Sequence, residues 1–179
     1  MPAPAADIYS NYYIMRSWGG WSPCIEGNDQ YGLRPFRGSV LPNCVGYTVG
    51  RFNELMREGD CVWLGSTAAK NIFGLAMSQG LQATNDPVVG GVICWSSVGD
   101  GHCAVIEEIL SPTAVRTSES GWNYEGPDII TDQIRYKENG GWWYRAGYTY
   151  QGIVVPPYPV VGDAEDYYML WLQEETLWK

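Results

Sequence analysis

The chain has 179 residues, of which 45% are hydrophobic and 17% charged, enough for one folded domain with a sizeable core. Its formal net charge is −9, which argues against nucleic acid and against electrostatic attraction to anionic membranes or acidic wall polymers. The five cysteines (Cys24, Cys44, Cys61, Cys94 and Cys103) are odd in number and lack C-x-x-C spacing. A disulfide scaffold and a structural zinc site are therefore not expected, and reduced thiols are.

The opening "MPAPAADIYSNYY" has neither a basic stretch nor an apolar run, so a secretory signal peptide is not expected. No segment approaches the ~18 apolar residues of a spanning helix. Residues 1 to about 38, rich in Gly, Pro and aromatics, read as an irregular but ordered lead-in. From Cys44 to Met56 the apolar positions Val45, Val49, Phe52 and Met56 recur at helical spacing, and Glu58-Gly59-Asp60 should end that helix. A second helix is expected in "STAAKNIFGLAMSQG", stopped by Gly80. After Pro87 the texture changes to β-branched and aromatic runs: 88–95, 102–110, 114–120 and 141–150. They are separated by "SSVGDG", "SPT" and "ENGG", the pattern of an antiparallel sheet with tight turns. "QGIVVPP" reads as a closing strand. Helices first and strands afterwards predict an α+β domain over residues 1–157. Residues 158–179 form a short acidic, aromatic tail with a possible helix whose Met169, Leu172 and Leu177 face inward.

Cys44 opens the first helix, where unsatisfied backbone N–H groups and the helix dipole favour a thiolate. The sole histidine, His102, opens a strand after the turn "SVGDG". A nearby imidazole would lower the thiol pKa further and donate a proton to a leaving amine. An imidazole needs a third group to orient it, and in "VRTSESGWN" Glu119 or a neighbour is placed to reach back across the sheet. Cys94 and Cys103, among Ile, Trp and Ala, are expected to pack in the core, and Cys61 likewise. Cys24 is expected in an exposed loop. Of nine tryptophans, Trp18, Trp21, Trp122 and Trp142 are candidates for a groove wall.

The stretch "NCVGY" resembles the Cys-x-x-Tyr helix start of CHAP domains (cysteine, histidine-dependent amidohydrolases/peptidases). "PVVGGVICWSSVGDGHCAVIEEI" is similar to the family's second block, with Gly101, His102, Ala104, Val105, Ile106 and Glu107 on its pattern. "TSESGWN" resembles the third block and "YQGIVVPP" the closing strand, so the resemblance covers roughly residues 10 to 157. It implies a papain-like fold, with N-terminal helices packed on an antiparallel β-sheet. It implies Cys44 as nucleophile, His102 as base and later acid, and Glu119 as the orienting group. Gly121 stands where many members carry Asn, and Asn123 is the stand-in for that fourth polar position. Asn43 replaces a frequent Gln. Trp21, Trp122 and Tyr47 are the expected substrate contacts.

The resemblance further implies a peptidoglycan hydrolase, an N-acetylmuramoyl-L-alanine amidase or a peptide-bridge endopeptidase, needing no metal or organic cofactor. With no signal peptide and no room for a wall-binding domain, a phage origin is expected. The protein would be a virion tail-associated lysin, with other phage tail proteins as partners, or an endolysin passing from the host cytoplasm to the cell wall. The rival expectations are an inactive phage tail structural protein of the same fold, and a cysteine peptidase acting on a protein.

Overall fold

The structure, a computed structural model, describes residues 2–7, 13, 44–56, 62, 64, 68–121, 129–157 and 160, with 129–131 described by backbone only. It is a mixed α/β arrangement. Helix α1 (Cys44–Met56) is followed by a 3₁₀ turn (Ala69–Asn71) that runs into helix α2 (Ile72–Ser78). Seven strands follow: β1 (Ala83–Thr84), β2 (Val92–Ser97), β3 (His102–Ser111), β4 (Ala114–Ser120), β5 (Ile129–Glu138), β6 (Gly141–Trp142) and β7 (Tyr148–Val154). They form one antiparallel sheet in the order β1-β7-β2-β3-β4-β5-β6. The central strands β2, β3 and β4 follow one another in sequence, so short turns connect them.

Period-two alternation divides the sheet's two faces. Val92, Cys94, Cys103, Val105 and Val154 point to the side where α1 lays Val45, Val49, Phe52, Leu55 and Met56. Ile93, Trp95, Ala104, Ile106, Val115 and Ile153 point to the other, together with Trp142 of β6. The Trp95 indole donates to the Trp142 carbonyl at 2.6 Å. A Cβ added to Gly141 would lie 2.8 Å from the Tyr150 ring. The sheet therefore curls until β6 approaches β7, and the aromatic side chains fill the hollow.

The helical stripe expected from the sequence is present, but α1 is buried on every side from Val45 to Met56. Its polar positions are consequently paired. Arg51, 1% exposed, binds Glu107 through Nε at 2.8 Å and Nη2 at 2.7 Å, and Glu54 through Nη1 at 2.5 Å. Such a cation is tolerated in the interior only because carboxylates meet it. Nη2 also donates to the Pro4 carbonyl, while the Asp7 amide and the Tyr13 hydroxyl donate to Glu54. The N-terminal residues are thereby tied to the helix. Asn53 exchanges hydrogen bonds with the Val62 backbone, as a strand partner would.

The second helix is shorter than the stretch marked for it, and Gly80 ends it at φ +82° as expected. Two strand assignments need correction. The run 141–150 is not one strand: Trp143–Gly147 turn away between β6 and β7. Strand β5, over 129–138, was not anticipated. Glu58–Asp60 and the tail helix at 161–179 lie outside the described residues. Val160, from the expected tail, packs on the α1-side core.

Candidate active site

Two element starts meet at one end of the sheet, Cys44 at the start of α1 and His102 at the start of β3. The turn between β2 and β3 holds the second of them. Ser97 Oγ accepts from the amides of Gly99 at 3.2 Å and Gly101 at 3.1 Å. The Lys70 amide donates to the Asp100 carbonyl at 2.7 Å, and Lys70 Nζ to the Gly99 carbonyl at 2.8 Å. Gly101 takes φ +78°, a left-handed conformation that a side chain disfavours. His102 is thus presented from a braced turn.

His102 Nε2 is bound to Glu119 Oε2, and the imidazole also hydrogen-bonds the Cys44 thiol. With Nε2 engaged by the carboxylate, Nδ1 is the nitrogen left for sulfur. Burial favours the neutral ring, but the hydrogen bonds to Cys44 and Glu119 outweigh it and raise the His102 pKa to about 9. Cys44, which is half-buried, moves the opposite way. Neighbouring Cys103 is the strongest influence holding its thiol well below the ordinary range; His102 adds to it and burial opposes. The helix N-terminus favours the same charge state. A thiolate–imidazolium pair is the state these contacts favour around neutral pH.

Glu119 reaches this pair from β4, where pairing with β5 slips between Thr117 and Glu119. Such irregularities re-aim side chains. Burial raises the carboxyl pKa, but hydrogen bonds and charge from His102 and Arg135 more than offset this, so it falls below the usual value. Arg135 Nη2 donates to Glu119 Oε1, on the side away from the imidazole. Tyr144 lies flat on the His102 ring, with centroids 4.4 Å apart and planes 11° apart. Trp95 stacks more loosely, at 6.0 Å.

Of the residues marked in the sequence, the structure brings together Cys44, His102 and Glu119. Asn123, Trp21 and Trp122 lie outside the described residues, as do Trp18, Asn43, Cys24 and Cys61. One expected substrate contact, Tyr47, and one groove-wall candidate, Trp142, are buried. Tyr47 is fully buried and stacked on Tyr13 at 5.8 Å, so its ring supports α1 and does not face a substrate. Trp142 is likewise core, 1% exposed. Glu107, on the family-like pattern, serves Arg51 and accepts from Ser118 Oγ.

Cys94 and Cys103 are buried as expected, but Cys103 also lies against Cys44. Its sulfhydryl donates to the Cys44 carbonyl at 3.4 Å. Arg135 and Tyr144 were missed. Only the Arg in "QIRYK" and the aromatic density of "GWWYRAGYTY" hinted at them. Among the described residues, no group of three or more His, Cys, Asp and Glu is arranged to hold a metal ion. Nor is any helix among them long and apolar enough to cross a membrane.

A thiolate beside an imidazolium, with a carboxylate behind the ring, is an arrangement capable of attacking an acyl carbon and protonating the group it expels. No protein-family model matches the chain. Among curated proteins it is similar to the staphylococcal secretory antigen ssaA2 of Staphylococcus aureus. In strain COL the two are 31% identical over 99 residues, covering 49% of this chain and 36% of the relative. In strain MRSA252 the identity is 30% over the same length. The chain thus spans about a third of the length of these relatives, 36%.

Proposed function

We propose that the protein is a CHAP-type peptidoglycan hydrolase with a papain-like core, cleaving an amide bond by thiol chemistry. The observation that carries this reading is that the chain's sole histidine joins Cys44 to Glu119. The Cys44 thiolate attacks the scissile carbonyl carbon, and the backbone N–H of Cys44 is one donor to the resulting oxyanion. Collapse breaks the C–N bond as His102 gives its Nδ1 proton to the departing amine. His102 then takes a proton from water, whose oxygen attacks the thioester and releases the acid and the thiolate. Glu119 holds the ring and offsets its positive charge throughout. Asn123 is proposed as a further polar group, and Trp21 and Trp122 as groove residues.

The substrate assignment rests on the resemblance of the sequence blocks. The proposed carrier is a phage, as a virion-associated lysin or an endolysin. The staphylococcal relatives make a secreted bacterial wall enzyme the second reading of the same chemistry.

Zymography on purified cell walls with wild type and Cys44→Ala tests the proposal. Clearing by wild type alone is expected. Equal clearing by both, or none by wild type, would overturn it in favour of an inactive structural protein or a peptidase for other substrates. Mass spectrometry of the digested wall identifies the bond: an amidase frees the lactyl carboxylate together with the alanine amine, whereas a peptide-bridge endopeptidase leaves the lactyl amide intact and frees a carboxylate and an amine within the peptide.

A further inference from the structure

Arg135 enters the site from β5 with its side chain 9% exposed, while its neighbours Ile134 and Tyr136 are 37% and 55% exposed. A strand that buries its arginine and exposes its apolar residues inverts the usual alternation. Sequestering a guanidinium is costly unless it is paired, so its partners show what the position is for. One is Glu119 Oε1. The others are ring faces: Tyr144, 4.6 Å from the guanidinium carbon, and Trp95, at 5.8 Å. Its Nε finds no hydrogen-bond acceptor. All three of these partners also contact His102: Glu119 by hydrogen bond, Tyr144 and Trp95 by stacking.

We propose that Arg135 is a positioning residue for His102: by holding one oxygen of Glu119 and backing the rings stacked on the imidazole, it keeps Nε2 on the carboxylate and Nδ1 toward Cys44. The inference rests on the reading that Cys44 and His102 react together. A glutamate carboxylate has two equivalent oxygens on a flexible stem, and either could serve the imidazole. With Oε1 committed to a planar donor, the carboxylate has one orientation. A lysine offers a point charge without the plane that covers the rings, so it should replace the arginine only in part.

The single histidine makes the test direct, because its ring nitrogens are the only imidazole signals in a nitrogen-15 spectrum. Among the described residues, the charged or titratable groups facing the ring or its partners are Cys44 from α1 with Cys103 of β3 beside it, Glu119 from β4, Arg135 from β5, and Tyr144, covered by Arg145, from the β6–β7 connection. In wild type the midpoint should lie at about 9. If Arg135 acted only as a nearby cation, Arg135→Gln would raise that midpoint. A positioning role requires it to fall, by about one unit or more, with mixed tautomers in the neutral ring.

Arg135→Lys should give a midpoint between those of wild type and Arg135→Gln. The effect of Arg135→Gln should disappear in a Glu119→Gln background, since Arg135 acts largely through that carboxylate. An unchanged or raised midpoint in folded Arg135→Gln overturns the proposal, as does an undiminished effect without Glu119. If the glutamine variant does not fold, the lysine variant decides: a lowered midpoint supports the role and a wild-type midpoint refutes it. Wall clearing is scored separately. A wild type that titrates as stated but clears no wall leaves the positioning role standing and removes the hydrolase reading.

Discussion

Gly101→Ala is the sharpest perturbation of the turn that presents His102. A Cβ there would lie 2.5 Å from the Trp95 carbonyl oxygen, 2.6 Å from the Lys70 nitrogen and 2.9 Å from the Lys70 Cα. All three are backbone atoms, so no side chain can rotate away. The left-handed conformation itself costs an alanine about 1–2 kcal/mol. Relieving the overlap means moving β2 or the 3₁₀ turn before α2, at about 1–3 kcal/mol by analogy with overpacked cores. A total of about 2–5 kcal/mol corresponds to a fall in Tm of roughly 4–20 °C for a chain of this size. The next residue is His102, and a displacement of about 1 Å at a reacting group costs about 100-fold in rate. The assay pairs thermal denaturation with alkylation of Cys44 at pH 6. Gly99→Ala is the control within the same turn, since its Cβ would meet only Ser97 Oγ at 3.6 Å. It should leave both readouts close to wild type. A Gly101→Ala protein that melts within about 2 °C of wild type and alkylates at a similar rate would refute the claim that this turn positions His102.

The pH dependence follows from opposite shifts in the two reacting groups. Alkylation of Cys44 should stay fast well below the ordinary thiol range and persist above pH 9, whereas amide hydrolysis should decline through about 9 as His102 loses its proton. A common alkaline limb for both would contradict the assignment. His102 contributes stability that is fully present below 6.5, the ordinary histidine value, and lost as pH rises through about 9. Glu119, shifted down, contributes stability present above 4.5 and lost as the pH falls below it, which melting curves across pH will show. Cys103→Ala removes the neighbour that most favours the Cys44 thiolate, so the midpoint of the alkylation profile should rise, and an unmoved midpoint would refute that role. Arg51→Met strands two buried carboxylates and should cost about 3–5 kcal/mol in denaturant titrations. Arg116→Ala, at the exposed pair with Glu108, should cost no more than about 1 kcal/mol.

Much of the site was legible in the sequence because its signals are local. Val45, Val49, Phe52 and Met56 announce a helix by their spacing, and Cys44 falls at its start. "SSVGDGHCAVIEE" carries its turn glycines next to its apolar strand, so His102 is placed by neighbouring residues alone. Glu119 follows because a hairpin returns β4 alongside β3. Strand β5 was not legible, since it exposes Ile134 and Tyr136 and buries Arg135, and a reading by hydrophobic alternation points its side chains the wrong way. Tyr47 fell on a recognisable motif, yet its role depends on what covers it, and the N-terminal Tyr13 does.

Local pattern was therefore enough for the mixed helix-and-sheet class, the start of α1 and the β2–β3 hairpin, while the choice of Cys44, His102 and Glu119 as one set came from the resemblance of the sequence blocks. Periodicity and turn chemistry act between residues a few positions apart, and such patterns survive in a linear reading. Three other features came from folding the chain in space: Cys103 leans on the Cys44 carbonyl, Tyr144 stacks on His102, and Arg135 closes the line of charges behind Glu119. The contacts of Cys103 and Arg135 join residues 59 and 16 positions apart. Such contacts depend on the curl of the sheet and on slips in strand register, which are settled by packing the whole core at once.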